Sequence, residues 1–157
     1  MTEHAFPSAT FPGPPRIRLT VPDTWTPLRL PNVAMAFIDS ASPPSVPTNA
    51  VLIVGRVSGR PTLDEIADAL VQQVEGPPLS VRTLTCEVAG REARQTVLTV
   101  PVSGHAVTIV QAQTVFLLES TVEGLLDLIQ VHLTCHQDVW PSQSAVLDKA
   151  LDSLAVI

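Results

Sequence analysis

Tyrosine is absent, lysine occurs once, and only 4% of the residues are aromatic. A nucleic-acid binder needs cationic side chains to neutralise phosphates and, for single strands, aromatic faces on which bases stack. With 9 basic against 15 acidic residues and a net charge of −6, this chain supplies neither, so no nucleic-acid partner is expected. No run of 18 apolar residues occurs, which excludes a membrane-spanning helix. The opening MTEHAFPSATFPGPP has no basic n-region and no apolar h-region, so it does not read as a signal peptide, and no cysteine near it could accept a lipid. The expected location is cytoplasmic. Cys86 and Cys135 are then expected to stay reduced, and a disulfide between them would need their Cα atoms within about 7 Å.

What is present is a chain of 157 residues, 45% hydrophobic and 15% charged, enough to build one domain around a continuous core. Residues 1–15 are rich in proline and read as an extended arm, leaving 16–157 as a single domain. Arg16 to Val21 alternates polar and apolar side chains like a half-buried strand. PDTWTPL reads as a turn anchored by Trp25, Asn32 to Ile38 as a second strand, and DSASPPSVPTN as a loop. Ala50 to Val57 is a β-branched apolar run suited to a central strand. Thr62 to Val74 carries apolar residues at Leu63, Ile66, Ala67, Leu70, Val71 and Val74, the spacing of an amphipathic helix. Thr62 and Glu65 have capping-box spacing, and Gly76-Pro77 stops the helix.

Ser80 to Val88, Ala93 to Val102 and Ala106 to Leu118 are joined by short turns and read as an antiparallel meander. Leu125 to His136 follows. Trp140-Pro141 reads as a break before a final helix from about Ser144 to Leu154. The class is α+β, in the order β-β-β-α-β-β-β-β-α.

The densest cluster of reactive groups is VHLTCHQ, where His132, Cys135 and His136 stand together. As a strand, the segment places Ile129, Val131, Leu133 and Cys135 on one face and Gln130, His132, Thr134 and His136 on the other. Cysteine and histidines then point to opposite sides, beyond the hydrogen-bond reach that a nucleophile and its base require. The two histidines share a face, but at about 3.3 Å per residue their Cα atoms are some 13 Å apart. Both cannot approach one zinc ion to about 2.1 Å across that span. A helix over Val122 to Leu133 would also fit Leu125, Leu126, Ile129 and Leu133; the β-branched content and unbroken alternation favour the strand. The expected roles are a core cysteine and two surface histidines.

Other candidates are weaker. Ser103, Gly104 and His105 suit a hairpin turn, and no G-x-S-x-G elbow accompanies them. GRVSGR, Gly55 to Arg60, lacks the Gly-Lys-Ser ending of a phosphate loop and reads as a strand end and turn. Arg56, Arg60, Arg91 and Arg94 could line one edge as an anion site or form a solvated face. Glu119, Glu123 and Asp127 read as solubilising residues that flank a loop.

A wider pattern runs from Pro22 to Arg60: PDTWTPL, Pro31-Asn32, AFID, VPTNAVLIVGRVSG, and then a helix opening TLDEIADAL. This resembles the LpqN/LpqT group of actinobacterial cell-envelope lipoproteins. Pro22 and Trp25 match its Pro-x-x-Trp turn; Thr48-Asn49-Ala50-Val51 matches its Pro-Asn-Ala-Val segment with Thr48 in place of proline; Gly59 matches its turn. The correspondence extends over Ile17 to Ile157. The resemblance implies a PsbP-like α/β sandwich, a twisted antiparallel sheet flanked by helices, and a binding or accessory role with no catalytic residues to carry over. The absence of a signal peptide and lipobox cysteine makes this chain a departure from the group.

The leading expectation is therefore a non-enzymatic binding or accessory protein with a protein partner, and without a catalytic residue, metal or cofactor. Its contact surface would be the arm, TPLRLPN and the SASPPSVPTN loop, with Trp25 and Arg29 as anchors and Asn32 and Asn49 beside them. Packing at the core edge is the competing role for Trp25. A second expectation is a carrier of a small apolar or lipid-like ligand, held where AVTIVQAQTVFLLES and GLLDLIQV line a cleft between sheet and helix. A third is an enzyme that uses His132, His136 or His105.

Overall fold

The computed structural model describes residues 1–5, 7–10, 12–42 and 46–157. Phe6 and Phe11 of the expected arm, and Pro43, Pro44 and Ser45 of the expected loop, lie outside the described residues. The strands are β1 (Ile17–Arg18), β2 (Trp25–Leu28), β3 (Met35–Asp39), β4 (Asn49–Ser58), β5 (Ser80–Val88), β6 (Arg91–Pro101), β7 (Thr108–Glu119), β8 (Leu125–His136) and β9 (Ala155–Val156). The helices are α1 (Leu63–Gln72) and α2 (Trp140–Ser153), the latter preceded by a single 3-10 turn at Gln137–Val139. Seven strands form one antiparallel sheet in the order β2-β3-β4-β8-β7-β6-β5, and β1 pairs with β9 as a separate ribbon. The apolar run at Ala50 is thus an interior strand, between β3 and β8, as its β-branched composition requires.

Strand alternation divides the sheet into two faces. Ala50 and Leu52 of β4, Ile129, Val131, Leu133 and Cys135 of β8, Ala112 and Phe116 of β7, and Ala93 of β6 form the larger core under Leu147, Leu151 and Leu154 at the α2 end. On the opposite face, Ile66 and Leu70 of α1 pack on Val115 of β7 and Leu128 of β8, with Val57, Leu63 and Leu117 at the margin. The capping box is formed: Thr62 Oγ1 accepts from the Glu65 amide at 3.1 Å, and Glu65 accepts from the Thr62 amide at 2.7 Å.

Several boundaries differ from the sequence expectation. The first strand is only two residues long, although Ile17, Leu19 and Val21 all pack on the core, because its pairing partner is the two-residue β9 at the C-terminus. PDTWTPL is not wholly a turn: Trp25 to Leu28 pairs with β3 as an edge strand that tolerates Pro27. The strand expected from Asn32 begins at Met35, since Asn32 adopts a left-handed φ of 62°. The last helix starts at Trp140 rather than Ser144. Pro141 does not break it, because a first-turn proline lacks only an N–H that has no intrahelical partner.

Candidate functional site

The cleft follows from a mismatch of lengths. Strands β7 and β8 each have 12 residues and run roughly 40 Å. Helix α1 has 10 residues and spans about 15 Å. It covers the end of the face that carries Val115, Leu117 and Leu128. The same face continues with Gln111, Gln113, Gln130 and His132, which line cavities together with Leu70 and Gln73 at the C-terminal end of α1.

A cleft of about 760 Å³ opens there, within the roughly 300–1,000 Å³ usual for small-molecule sites. Its walls include Leu70 and Val74 from the helix end, Pro77 from the following loop, and Val100, Val102 and Ile109 from the β6–β7 hairpin. Its floor is Gln111, Gln113 and His132. A smaller cavity of about 370 Å³, lined by Ile53, Ala69, Leu128 and Gln130, shares Leu70, Gln73 and His132 with it.

The floor is held by strand register. Gln113 stands directly opposite His132, and Gln111 opposite Thr134. Gln113 Nε2 donates to Gln111 Oε1 at 3.1 Å, while His132 Nε2 lies 3.2 Å from Gln130 Oε1. Gln113 is 4% exposed, and among the described residues its Oε1 has no hydrogen-bond partner. A buried amide oxygen left unpaired costs about 1–3 kcal/mol and calls for an explanation. The cleft has no arginine or lysine in its lining, and Glu75 at its mouth is its one carboxylate.

VHLTCHQ is confirmed as strand through His136, with Cys135 fully buried on the α2 face. The histidines, however, are not simple surface residues. His132 lies half-buried in the cleft, and burial pushes its pKa below the ordinary 6.5. His136 Nδ1 accepts from the Asp138 amide at 3.1 Å and caps the 3-10 turn. Among the described residues, no three or more His, Cys, Asp or Glu side chains gather as a metal group. Cys86, opposite Ala93 on β5, lies three strands from β8, and both cysteines are free thiols.

Burial raises Cys135 to about 11, so its thiolate is scarce at neutral pH. Native protein treated with a disulfide-exchange reagent should modify Cys86 alone, with Cys135 reacting only after denaturation. Rapid native labelling of Cys135 would contradict its placement in the core.

His132 should also make stability pH-dependent. Its folded pKa is lowered, so below about pH 6.5 the unfolded chain binds a proton that the folded one does not. The neutral imidazole's contribution is complete above that pH and is lost as pH falls toward the folded value. Of the charged groups nearby, Glu75 lies at the cleft mouth, Asp64 pairs with Arg94, Glu65 caps α1, and Asp68 is exposed. All are unchanged in His132→Gln. Urea midpoints measured from pH 7.5 to 5 should therefore fall less in His132→Gln than in the wild type; parallel curves would contradict the burial.

The remaining candidates are dispersed. Trp25 is 6% exposed and packs in the core, which removes it as an exposed anchor. Arg29 and Asn32 are exposed, and Asn49 is half-buried with its Nδ2 donating to the Pro47 carbonyl at 3.3 Å. Ser103 and His105 lie in the exposed β6–β7 hairpin, with Ser103 at the cleft rim. The four arginines do not converge: Arg56 pairs with Asp127, Arg60 with Glu119, and Arg94 with Asp64 and Glu92, while Arg91 donates to the Ala89 carbonyl. Asp127 is not a loop residue. It is 5% exposed within β8, opposite Arg56 in register.

Together these elements define a PsbP-like α+β fold. Among the solved structures that carry it are two. The crystal structure of LpqN, involved in cell envelope biogenesis of Mycobacterium tuberculosis, superposes with a TM-score of 0.75 at 17% identity, covering 92% of this chain and 85% of that one. The solution structure of the cyanobacterial PsbP (CyanoP) of Synechocystis gives a TM-score of 0.57 at 16% identity, covering 92% of this chain and 95% of that one. No family model matches the sequence, and no curated protein does. Among the described residues, no helix is long and apolar enough to cross a membrane.

Proposed function

We propose that this domain is a non-enzymatic binding module whose ligand is a small molecule with an apolar body, held in the cleft between α1 and strands β7 and β8. The observation that carries this reading is the cleft itself, with apolar walls from Leu70, Val74, Val100, Val102 and Ile109 around a polar floor of Gln111, Gln113 and His132. A pre-formed pocket with few polar groups is how proteins orient such ligands. A fold shared with a protein of cell envelope biogenesis is compatible with an apolar ligand, although fold alone does not fix function.

A protein partner is the second reading. It is favoured by Leu28 and Leu30, which are 39% and 47% exposed on either side of Arg29 at the β2 edge.

The test uses N-phenyl-1-naphthylamine, a neutral apolar fluorophore. It should bind once per chain, and Val74→Trp, which fills the cleft from its rim, should weaken binding at least tenfold with the fold intact by circular dichroism. Undiminished binding in Val74→Trp would remove the cleft as the site. A host protein captured equally by both forms, and lost in Arg29→Glu, would support the second reading.

A further inference from the structure

The seven-stranded sheet ends in two edges that differ in kind. At one end stands β2, four residues long and interrupted by Pro27, whose ring removes a backbone donor. At the other stands β5, nine residues that pair with β6 from Ser80 opposite Thr99 to Val88 opposite Arg91. Long edges are ordinarily protected by proline, lysine, a bulge or a covering helix. β5 contains neither residue, its register runs without a bulge, and α1 packs on β6 and β7. Ser80 to Thr85 are all exposed, although successive residues of a strand point to opposite faces. Neither helix layer therefore shields that stretch.

Every second residue of β5 turns its N–H and C=O away from β6, and among the described residues no strand takes them up. A matching row of donors and acceptors at this spacing belongs to another extended backbone. Side chains and charge narrow the choice. Val81 and Leu84 are 48% and 37% exposed, one on each face of β5, and Leu79 just before the strand is 68% exposed. β5 holds one arginine, Arg82, and one glutamate, Glu87, so it is neutral in a chain of net charge −6. Two copies of the chain approach here without the like-charge repulsion that the net charge imposes elsewhere.

A strand that extends a sheet by pairing with its own copy does so antiparallel, about a two-fold axis perpendicular to the sheet, so that faces match. Centred on Leu84, that register sets Leu84 against its counterpart, Thr83 against the counterpart of Thr85, and Val81 against that of Glu87. Leucine meets leucine and threonine meets threonine, both favourable cross-strand pairs. Arg82 falls opposite the counterpart of Cys86, so neither charge meets its like. Nine residue pairs give about eight to ten backbone hydrogen bonds, close to the roughly ten of an ordinary interface. The assembly also closes at two copies, because the edges left free are the short β2 strands with Pro27.

We propose that β5 is a self-association edge: two copies of this chain pair through it, antiparallel about a two-fold axis at Leu84, and join their sheets into one. The contact is led by backbone hydrogen bonds and has no packed apolar centre, which places it among weak associations with a Kd of order 10 µM.

Sedimentation velocity of the full chain under reducing conditions, at loadings from about 1 to 500 µM on either side of that value, tests it. The weight-average mass should rise with loading from 16.8 kDa toward twice that mass. Leu84→Lys brings two ammonium groups face to face at the axis and should raise the Kd about tenfold or more, with the circular dichroism spectrum unchanged because the side chain is exposed. In a Cys86→Ser background, Leu84→Cys should cross-link two chains under mild oxidation, since residues at the axis bring their Cα atoms within the roughly 7 Å that a disulfide spans. Val81→Cys in the same background should not, because its counterpart lies six residues along the strand from its own partner position.

A chain that stays at monomer mass at the highest loading overturns the proposal and leaves the edge to a foreign strand. A dimer that Leu84→Lys leaves intact, or one that cross-links through position 81 and not position 84, overturns it as well.

Discussion

Phe116→Ala should cost about 4 kcal/mol, the largest loss expected from any single truncation in this chain. Phe116 is 0% exposed on β7, and its cross-strand neighbours, Ala93 and Ile129, are also fully buried. It stands on the α2 face, in the same cluster as Leu147 and Leu151. Truncation removes a ring that fixed neighbours cannot replace, because sheet register holds Ala93 and Ile129 in place. The cost is therefore both the lost transfer of apolar surface and the cavity left behind. Since domains are stable by only about 5–15 kcal/mol, this variant should lie near the threshold of folding. A urea denaturation series measures it; a loss under about 1 kcal/mol would mean that the two layers do not pack as described.

Arg56→Ala should destabilise the protein by about 2–3 kcal/mol, far more than loss of an ordinary surface arginine. Arg56 Nε lies 3.1 Å from Asp127 Oδ1, and the side chains are 31% and 6% exposed. Its Nη2 also donates to the Pro12 and Gly13 carbonyls at 2.9 Å, tying the N-terminal arm to the sheet. Removing the guanidinium strands a carboxylate inside the sheet face. The partial exposure of Arg56 admits some water, which keeps the estimate at the low end for buried pairs. The double variant Arg56→Met with Asp127→Leu should recover most of the loss, since no charge is then left unpaired. Equal destabilisation by the single and double variants would show that Arg56 contributes through the arm and not through Asp127.

Much of the architecture was legible because alternation and helical periodicity are direct records of burial. Leu125 to His136 is strand to its predicted end, and Thr62 with Glu65 caps the helix that their spacing announced. The same logic explains the main errors. Alternation separates two faces of a strand but does not say whether the second face meets water. Gln130 and His132 were legible in the polar set of β8, whereas Gln111 and Gln113 lay within a segment read as apolar lining; α1 covers one end of their common face and turns the rest into a cleft. Asp127 and Arg56 interrupt apolar strands, a signal of pairing that only the register between β4 and β8 makes explicit. Trp25 was ambiguous because its neighbours are turn residues, while its burial depends on the pairing of β2 with β3. Pro141 misled because proline stops a helix interior but fits a first turn.

The cleft between the end of α1 and strands β6 to β8 is the proposed ligand site. Backbone and side-chain amide shift mapping in ¹⁵N-labelled protein during titration with 1-decanol tests it most directly. Occupancy of this site predicts saturable shifts at Leu70, Gln73, Val100, Ile109 and His132, residues that line the cleft. Shifts that instead cluster at Leu28 to Asn32 or along β5, or an unchanged spectrum at saturating alcohol, would contradict it.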